Sequence, residues 1–205
     1  MKKIRYFFEA ISLTLLLGFS RLLPARTASN IGGWIGKAVG IRLATSRKAI
    51  NNLKMVYPDE AESKHKAITT NMWVNLGRVI FEYPHIKAIA SKHTKLIGTE
   101  KLEQYGDRPI IFIAAHMGNW EICPPAFFYQ RQLKVNSIYR PPNNPFVDRL
   151  LNKKRSLNGA LAPIPKSLGG TRQIVKELKQ GKSIGFLIDQ KYNQGVVTNL
   201  SLIHI

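Results

Sequence analysis

Two continuous apolar runs in the second half of the chain constrain its fold more than any other feature. The first covers residues 109–115 and the second covers residues 183–188. Neither run alternates regularly between apolar and polar residues, and this is the pattern of strands buried on both faces of a sheet. Helix-like segments separate them from a further strand-like segment at 135–139. We therefore predict an α/β fold with a mostly parallel sheet that is flanked by helices.

The first 90 residues have a different pattern, in which apolar residues recur at helical spacing. Ser46 is expected to cap one helix and Asp59 to cap the next. Within the second helix, Arg78 and Glu82 are four residues apart, which predicts an ion pair on the helix surface. Residues 94–97 are a short strand candidate. The chain is thus predicted to be helical first and α/β afterwards.

The N-terminal segment is the strongest candidate for contact with a membrane. A basic start at residues 1–5 precedes a mostly apolar stretch at residues 6–23. About 18 residues is the lower limit for a helix that spans a bilayer. We predict that residues 1–26 form a membrane anchor, either spanning the bilayer or lying in its interface. A buried core helix and a cleaved signal peptide are the alternatives, although Pro24-Ala25-Arg26 is a poor cleavage site.

Composition limits the classes of function that the chain can have. Its 205 residues include 31 Lys and Arg against 12 Asp and Glu, a formal net charge of +19 that both halves share. A basic body of this kind attracts nucleic acid, anionic lipid or an acidic carrier protein. The chain contains no recognisable nucleic-acid-binding motif, and we expect no nucleic acid partner. A single cysteine, Cys123, excludes a disulfide framework and a thiolate-built metal site, so we expect no metal.

A histidine and a carboxylate follow the first apolar run. His116 leaves the predicted strand, Gly118 permits a tight turn, and Glu121 lies in the first turns of the next helix. Ligands bind at the carboxyl ends of parallel strands, and both His116 and Asp189 follow such ends. A carboxylate on one imidazole nitrogen leaves the other nitrogen free to take a proton from a hydroxyl. The alternative is a histidine that caps the helix, with Glu121 placed favourably for the helix dipole.

The residues around His116 resemble those of a known family. The hexapeptide from His116 to Glu121 is similar to the His-x4-Asp/Glu motif of membrane acyltransferases. An ordered set of motifs over residues 5–196 resembles the late acyltransferases of lipid A biosynthesis, which are lauroyl and myristoyl transferases. After the hexapeptide, this set continues with Tyr139-Arg140-Pro141, Asn144-Pro145, Arg155, Gly181 and Asp189-Gln190.

The resemblance implies a specific reaction and a specific cellular location. The family moves a fatty acyl chain from acyl carrier protein, or from coenzyme A, to a hydroxyl of a phosphoglycolipid, the lipid A precursor. It does so at the cytoplasmic face of the bacterial inner membrane and without a further cofactor. His116 corresponds to the general base and Glu121 to its orienting partner. The alternatives are a glycolipid acyltransferase with a different acceptor and an inactive membrane scaffold of the same fold.

Five further residues are expected to bind the substrates or stabilise the transition state of acyl transfer. We expect the backbone N–H groups of Gly118 and Asn119, or a cationic side chain, to stabilise the oxyanion that forms on the thioester carbonyl. Arg155 corresponds to a family arginine and would do the same or bind substrate phosphate, and Arg140 is a similar candidate. Asp189 corresponds to a family aspartate and would orient Arg155 or a substrate hydroxyl.

The end of the chain departs from the family pattern. The family continues beyond the Asp189-Gln190 strand with further strands and helices. Residues 200–205 do not resemble the family and match one reading frame of an adapter used in sequencing libraries. We therefore expect an acyltransferase domain over residues 27–199 that lacks its C-terminal part, followed by a non-native tail over residues 200–205.

Overall fold

The computed structural model describes residues 2–189, where helices come first and strands alternate with helices afterwards. Gln190 and the expected tail over residues 200–205 lie outside the described residues. The α-helices are α1 (Lys2–Arg21), α2 (Ala25–Gly40), α3 (Ala44–Val56), α4 (Glu62–Glu82), α5 (Ile86–Lys92), α6 (Cys123–Arg131), α7 (Pro145–Arg155) and α8 (Leu168–Lys179). The strands are β1 (Ile111–Ala114), β2 (Val135–Tyr139), β3 (Ile164–Pro165) and β4 (Ser183–Leu187). Short 3-10 turns occupy Tyr83–His85, Thr99–Tyr105 and Trp120–Ile122.

The four strands form a parallel sheet in the order β1-β4-β2-β3, and the predicted α/β class is confirmed. Each connection between successive strands contains one of the helices α6, α7 and α8, as parallel pairing requires. At one edge of the sheet, Ala114 of β1 is in register with Leu187 of β4. The carboxyl ends of β1 and β4 therefore lie side by side, which brings together the residues that follow them.

The prediction that both apolar runs are buried on both faces is wrong for the first run. β1 is the edge strand of the described sheet, and Ile111 and Ile113 are 52% and 65% exposed. The second run is buried only in part, because Ser183 and Ile184 at its start are buried whereas Ile188 at its end is 61% exposed. The strand expected at residues 94–97 is also absent from the described sheet. The Thr94 hydroxyl donates to the Ile89 carbonyl at 2.9 Å, so this side chain caps the end of α5.

Helices α2 and α4 pack with their backbones almost in contact. A Cβ atom at Gly36 would lie 2.1 Å from the Trp73 carbonyl oxygen, and one at Gly77 would lie 2.1 Å from that of Gly32. Only hydrogen fits in these spaces, so any side chain would force the helices apart. The glycines that weaken the helical pattern in the sequence are thus what allows these two helices to approach.

The two predicted helix caps are wrong. Helix α3 begins at Ala44, two residues before Ser46, and α4 begins at Glu62, beyond Asp59. The buried Ser46 hydroxyl instead donates to the Gly40 carbonyl at 2.7 Å and accepts from the Trp73 indole N–H at 2.7 Å. Tertiary hydrogen bonds to α2 and α4 use the side chain that the sequence pattern assigned to a local cap.

Helix α1 has one buried and one exposed side. Leu17 packs in the main apolar core, which α1 shares with the α4–α6 region, and the buried Ser20 hydroxyl donates to the Phe81 carbonyl at 2.6 Å. Large exposed apolar side chains on this helix are Ile4, Phe7, Phe8, Ile11, Leu15 and Phe19. Within residues 2–189, no helix has the length and apolar character needed to cross a bilayer. The spanning form of the anchor expected over residues 1–26 is therefore unsupported.

Candidate active site

His116 and Asp189 face each other at the carboxyl edge of the sheet. Asp189 Oδ1 lies 2.7 Å from His116 Nδ1, and Asp189 Oδ2 accepts from the His116 backbone N–H at 2.8 Å. The two side chains are 25% and 29% exposed, so a substrate can reach them. The Trp120 ring system packs against the imidazole in an edge-to-face arrangement, with ring centroids 5.0 Å apart. Within the described part of the chain, His116 Nε2 has no hydrogen-bond partner.

Asp189 is held in its ionised form. Burial alone would raise the pKa of this carboxyl group, but the hydrogen bonds from the His116 side chain and backbone outweigh burial and lower the pKa below its usual range. An ionised carboxylate on Nδ1 keeps the Nδ1 proton in place, which leaves the lone pair on Nε2. The pair therefore has the arrangement of a general base.

The expected partner of Glu121 was His116, and the structure shows a different pairing. Arg155 Nε donates to both carboxylate oxygens of Glu121 at 3.2 and 3.0 Å, and Arg155 Nη2 donates to Oε1 at 2.5 Å. Asp189 contacts His116, whereas Arg155 pairs with Glu121, so the expected orienting of Arg155 by Asp189 is corrected. The alternative, that Asp189 orients a substrate hydroxyl, stays a prediction. The spacing of five residues between His116 and Glu121 does not make them partners, because the 3-10 turn directs Glu121 towards α7.

The Glu121–Arg155 ion pair is largely buried. The two side chains are only 12% and 15% exposed. Burial disfavours the charged guanidinium, but the hydrogen bonds and charge of Glu121 outweigh it and raise the pKa of Arg155. The guanidinium lies 5.2 Å from the centre of the Tyr139 ring. Burial and the neighbouring Glu121 charge together raise the pKa of the Tyr83 phenol far above its usual range, so Tyr83 stays neutral.

The loop between His116 and Glu121 has the tight turn that the sequence predicts. Gly118 has φ +54°, in the left-handed region, and its Cβ direction faces open space. Its carbonyl accepts from Asn75 Nδ2 at 2.9 Å, which attaches the loop to α4. The Asn119 side chain accepts from the Glu121 backbone N–H at 3.1 Å and so caps the 3-10 turn. The backbone N–H groups of Gly118 and Asn119 make no hydrogen bond within residues 2–189 and remain available.

Comparison with known families decides what this site belongs to. The sequence model of the bacterial lipid A biosynthesis acyltransferase family matches residues 1–200. The chain belongs to this family. The resemblance seen in the sequence motifs is therefore confirmed, and the family implies an acyltransferase that acts on lipid A. A comparison with curated proteins found no match.

This acyltransferase also has a site residue that the sequence interpretation missed. Glu82 does not pair with Arg78, and the predicted ion pair on the surface of α4 is wrong. The Glu82 carboxylate accepts from Asn119 Nδ2 and from the Ser29 hydroxyl, both at 2.6 Å. Neither partner is near Glu82 in sequence, so no local spacing signals these contacts.

Arg140 and Asn144 lie at the same end of the acyltransferase sheet. Arg140 directly follows β2, is exposed, and makes no ion pair with any residue that the structure describes. Asn144 is buried and caps α7 by accepting from the Phe146 and Val147 N–H groups. Its Nδ2 also donates to the Tyr6 carbonyl at 2.8 Å. Arg140 is thus free to meet an anion, whereas Asn144 joins α1 to the helix that carries Arg155.

An apolar cavity of about 430 Å³ opens beside the site loop. Its walls come from α5, the segment after it, the 3-10 turn and α6, and they are Ile89, Thr94, Leu96, Asn119, Ile122, Cys123, Ala126 and Phe127. Asn119 belongs to both the cavity and the loop, so the cavity adjoins the loop that follows His116. Among residues 2–189, no group of three His, Cys, Asp or Glu side chains is placed to hold a metal ion.

Proposed function

We propose that this chain transfers a fatty acyl group from acyl carrier protein to a hydroxyl of a lipid A precursor, with His116 as the general base. The observation that carries the proposal is the 2.7 Å contact between Asp189 Oδ1 and His116 Nδ1, which leaves Nε2 open to a substrate. Membership of the family supports acyl transfer to lipid A. The acyl carrier protein donor and the assignment of roles to residues are our inference.

The reaction needs only proton transfer and acyl transfer. His116 Nε2 takes the proton of the acceptor hydroxyl as its oxygen attacks the thioester carbonyl carbon. The tetrahedral intermediate then collapses, the C–S bond breaks, and the thiolate of the carrier leaves. The imidazolium returns the proton to that thiolate, so the products are an ester and a free carrier thiol. Asp189 stabilises the imidazolium in between, as the carboxylate of a catalytic triad does.

Charge that develops on the thioester oxygen needs donors that are already in place. The free N–H groups of Gly118 and Asn119 lie two and three residues after His116 and can point at that oxygen. Arg155 remains a substrate-binding candidate, but Glu121 already engages its guanidinium. Arg140 is the better candidate for the phosphate of the acceptor, since its charge is exposed and unpaired within residues 2–189.

The charge of the protein and its apolar cavity fit the two parts of the donor, the carrier protein and the acyl group. The net charge of +19 favours an acidic carrier protein over a neutral donor. We propose that the acyl chain enters the apolar cavity beside Asn119, whose volume of about 430 Å³ lies in the range of small-molecule sites. The thioester, bound by the N–H groups of Gly118 and Asn119, and the acyl chain, bound in the cavity, would then lie on opposite sides of the same loop.

Helix α1 supports a location on an anionic membrane surface. Its exposed side carries Phe7, Phe8 and Leu15, and Lys2 and Lys3 begin the same helix. An apolar helix face beside basic residues is the arrangement of helices that lie in the interface of anionic bilayers. We propose that α1 binds the protein to the cytoplasmic face of the inner membrane in this way, where the lipid A precursor would be within reach.

The release of carrier thiol tests the proposed donor and base. The chain is mixed with acyl-loaded carrier protein and a tetra-acylated lipid A precursor in mixed micelles, and thiol is measured with a colorimetric reagent. We expect release that requires the precursor and that falls at least about 100-fold in His116→Ala. His93→Ala is the matched control, because His93 is exposed and distant in sequence from the site loop. Equal rates in His116→Ala and the wild-type chain would refute the assignment.

A further inference from the structure

Glu82 connects the helical half of the molecule to the site loop. It is the last residue of α4, and its two carboxylate oxygens have different partners. Oε1 accepts from the Ser29 hydroxyl on α2, and Oε2 accepts from Asn119 Nδ2, each at 2.6 Å. Both contacts are partly buried. The Glu82 carboxylate therefore joins α2 and α4 to the loop after β1, in addition to the contact between Asn75 and the Gly118 carbonyl.

This carboxylate determines which way the Asn119 amide faces. Nδ2 can only donate and Oδ1 can only accept, so the amide has one orientation that satisfies its two neighbours. With Nδ2 on Glu82, Oδ1 faces the Glu121 backbone N–H at 3.1 Å. The reverse orientation would place two acceptors together at Glu82 and two donors together at Glu121. Glu82 thus selects the cap that begins the 3-10 turn.

The turn that Asn119 caps carries two side chains of the site. Trp120 packs against the His116 ring, and Glu121 forms the buried ion pair with Arg155. The turn also follows the two free N–H groups that we propose for the oxyanion. We infer that Glu82 is a positioning residue for acyl transfer, which acts through Asn119 and touches no substrate itself. This inference rests on the proposed function.

Kinetics of Glu82 variants test the inference. Glu82→Ala removes the acceptor of the Asn119 amide, and we expect kcat to fall about 10- to 100-fold while KM for the precursor changes little. Glu82→Gln can still accept from Asn119 with its carbonyl and donate to the Ser29 hydroxyl, so it should recover most of the lost kcat. Glu62→Ala is the matched control, because Glu62 lies at the far end of α4 and is exposed.

A double variant separates positioning from a general loss of packing. Asn119→Asp places a carboxylate against Glu82 and should lower kcat strongly. Adding Glu82→Gln supplies a donor to the new carboxylate, and we expect the double variant to be more active than Asn119→Asp alone. A double variant that is no more active than Asn119→Asp, or an active Glu82→Ala with wild-type kcat, would overturn the inference.

Hydrogen exchange gives a readout that does not depend on activity. Without Glu82, the cap from Asn119 to the Glu121 backbone N–H should loosen, and exchange of that amide should accelerate about tenfold. The same amide should be unchanged in Glu62→Ala. Unaltered exchange in Glu82→Ala would refute the positioning claim. If the wild-type chain transfers no acyl group while exchange responds as expected, the proposed function fails and the positioning of the loop stands.

Discussion

Replacing Asp189 with asparagine should disable the general base without unfolding the protein. In the native site, the carboxylate accepts two hydrogen bonds from His116, one from Nδ1 and one from the backbone N–H. An asparagine has one accepting oxygen and one donating nitrogen. If its oxygen stays on Nδ1, a donor faces the backbone N–H. If its oxygen accepts from the backbone, its nitrogen donates to Nδ1, and the histidine proton must move to Nε2.

Either arrangement weakens the base at Nε2. In the first, the imidazolium loses its negative partner, and in the second the lone pair that takes the substrate proton is absent. General base catalysis contributes about 10²- to 10⁴-fold, so we expect kcat to fall by that range in Asp189→Asn. This corresponds to about 3 to 5 kcal/mol of transition-state stabilisation. Since Asp189 is 29% exposed, the fold itself should tolerate the change.

The assay is precursor-dependent release of carrier thiol at saturating donor, with circular dichroism as the check on folding. Asp107→Asn is the matched control, because Asp107 is exposed and lies before β1. A folded Asp189→Asn protein that keeps more than a tenth of the wild-type kcat would refute the role of Asp189. A loss of similar size in Asp107→Asn would show that the effect does not depend on the His116 contact.

Four further outcomes follow from the same structure. The lowered pKa of Asp189 means that its ionised form stabilises the fold. This contribution is lost as the pH falls through the lowered pKa. The free energy of unfolding should therefore fall more steeply below about pH 5 in the wild-type protein than in Asp189→Asn. Arg155→Ala leaves the Glu121 carboxylate buried without its partner and should cost about 3 kcal/mol in urea denaturation. Gly36→Ala should cost about 2 kcal/mol by the same assay, whereas Gly18→Ala, whose Cβ meets open space, should be neutral or stabilising. Leu15→Gln should weaken co-sedimentation with anionic vesicles about tenfold at unchanged Tm.

Each of these outcomes has a clear opposite. Parallel pH–stability curves for wild type and Asp189→Asn would contradict the depressed pKa. An Arg155→Ala protein as stable as wild type would mean that the ion pair contributes nothing. Equal stability of Gly36→Ala and Gly18→Ala would contradict the close approach of α2 and α4. Unchanged sedimentation of Leu15→Gln would remove α1 from the proposed membrane surface.

The order of elements and the location of the site could be predicted from the sequence because both depend on local signals. Apolar runs identify buried strands such as β4, and the residues that follow parallel strands share one edge of the sheet. His116 and Asp189 were found in this way. The burial of β1 could not be predicted, because strand order decides which strand is at the edge, and that order depends on contacts far apart in sequence.

The partners within the site could not be predicted because they depend on orientation in three dimensions. Spacing put Glu121 near His116, but the 3-10 turn directs its carboxylate to Arg155, and the strand pairing brings Asp189 to the imidazole. The Glu82–Asn119 contact joins residues 37 apart, and no spacing rule covers such a pair. Likewise, Ser46 has the composition of a helix cap and makes tertiary hydrogen bonds instead.

The mass of the lipid product tests the central claim most directly. Membranes that contain the chain would receive acyl carrier protein loaded with acyl groups of several lengths and a tetra-acylated lipid A precursor. We predict a product heavier than the precursor by one acyl group in place of one hydrogen, formed by the wild-type chain and absent with His116→Ala. An unchanged precursor with folded, membrane-bound wild-type protein, or the same product from His116→Ala, would contradict the account.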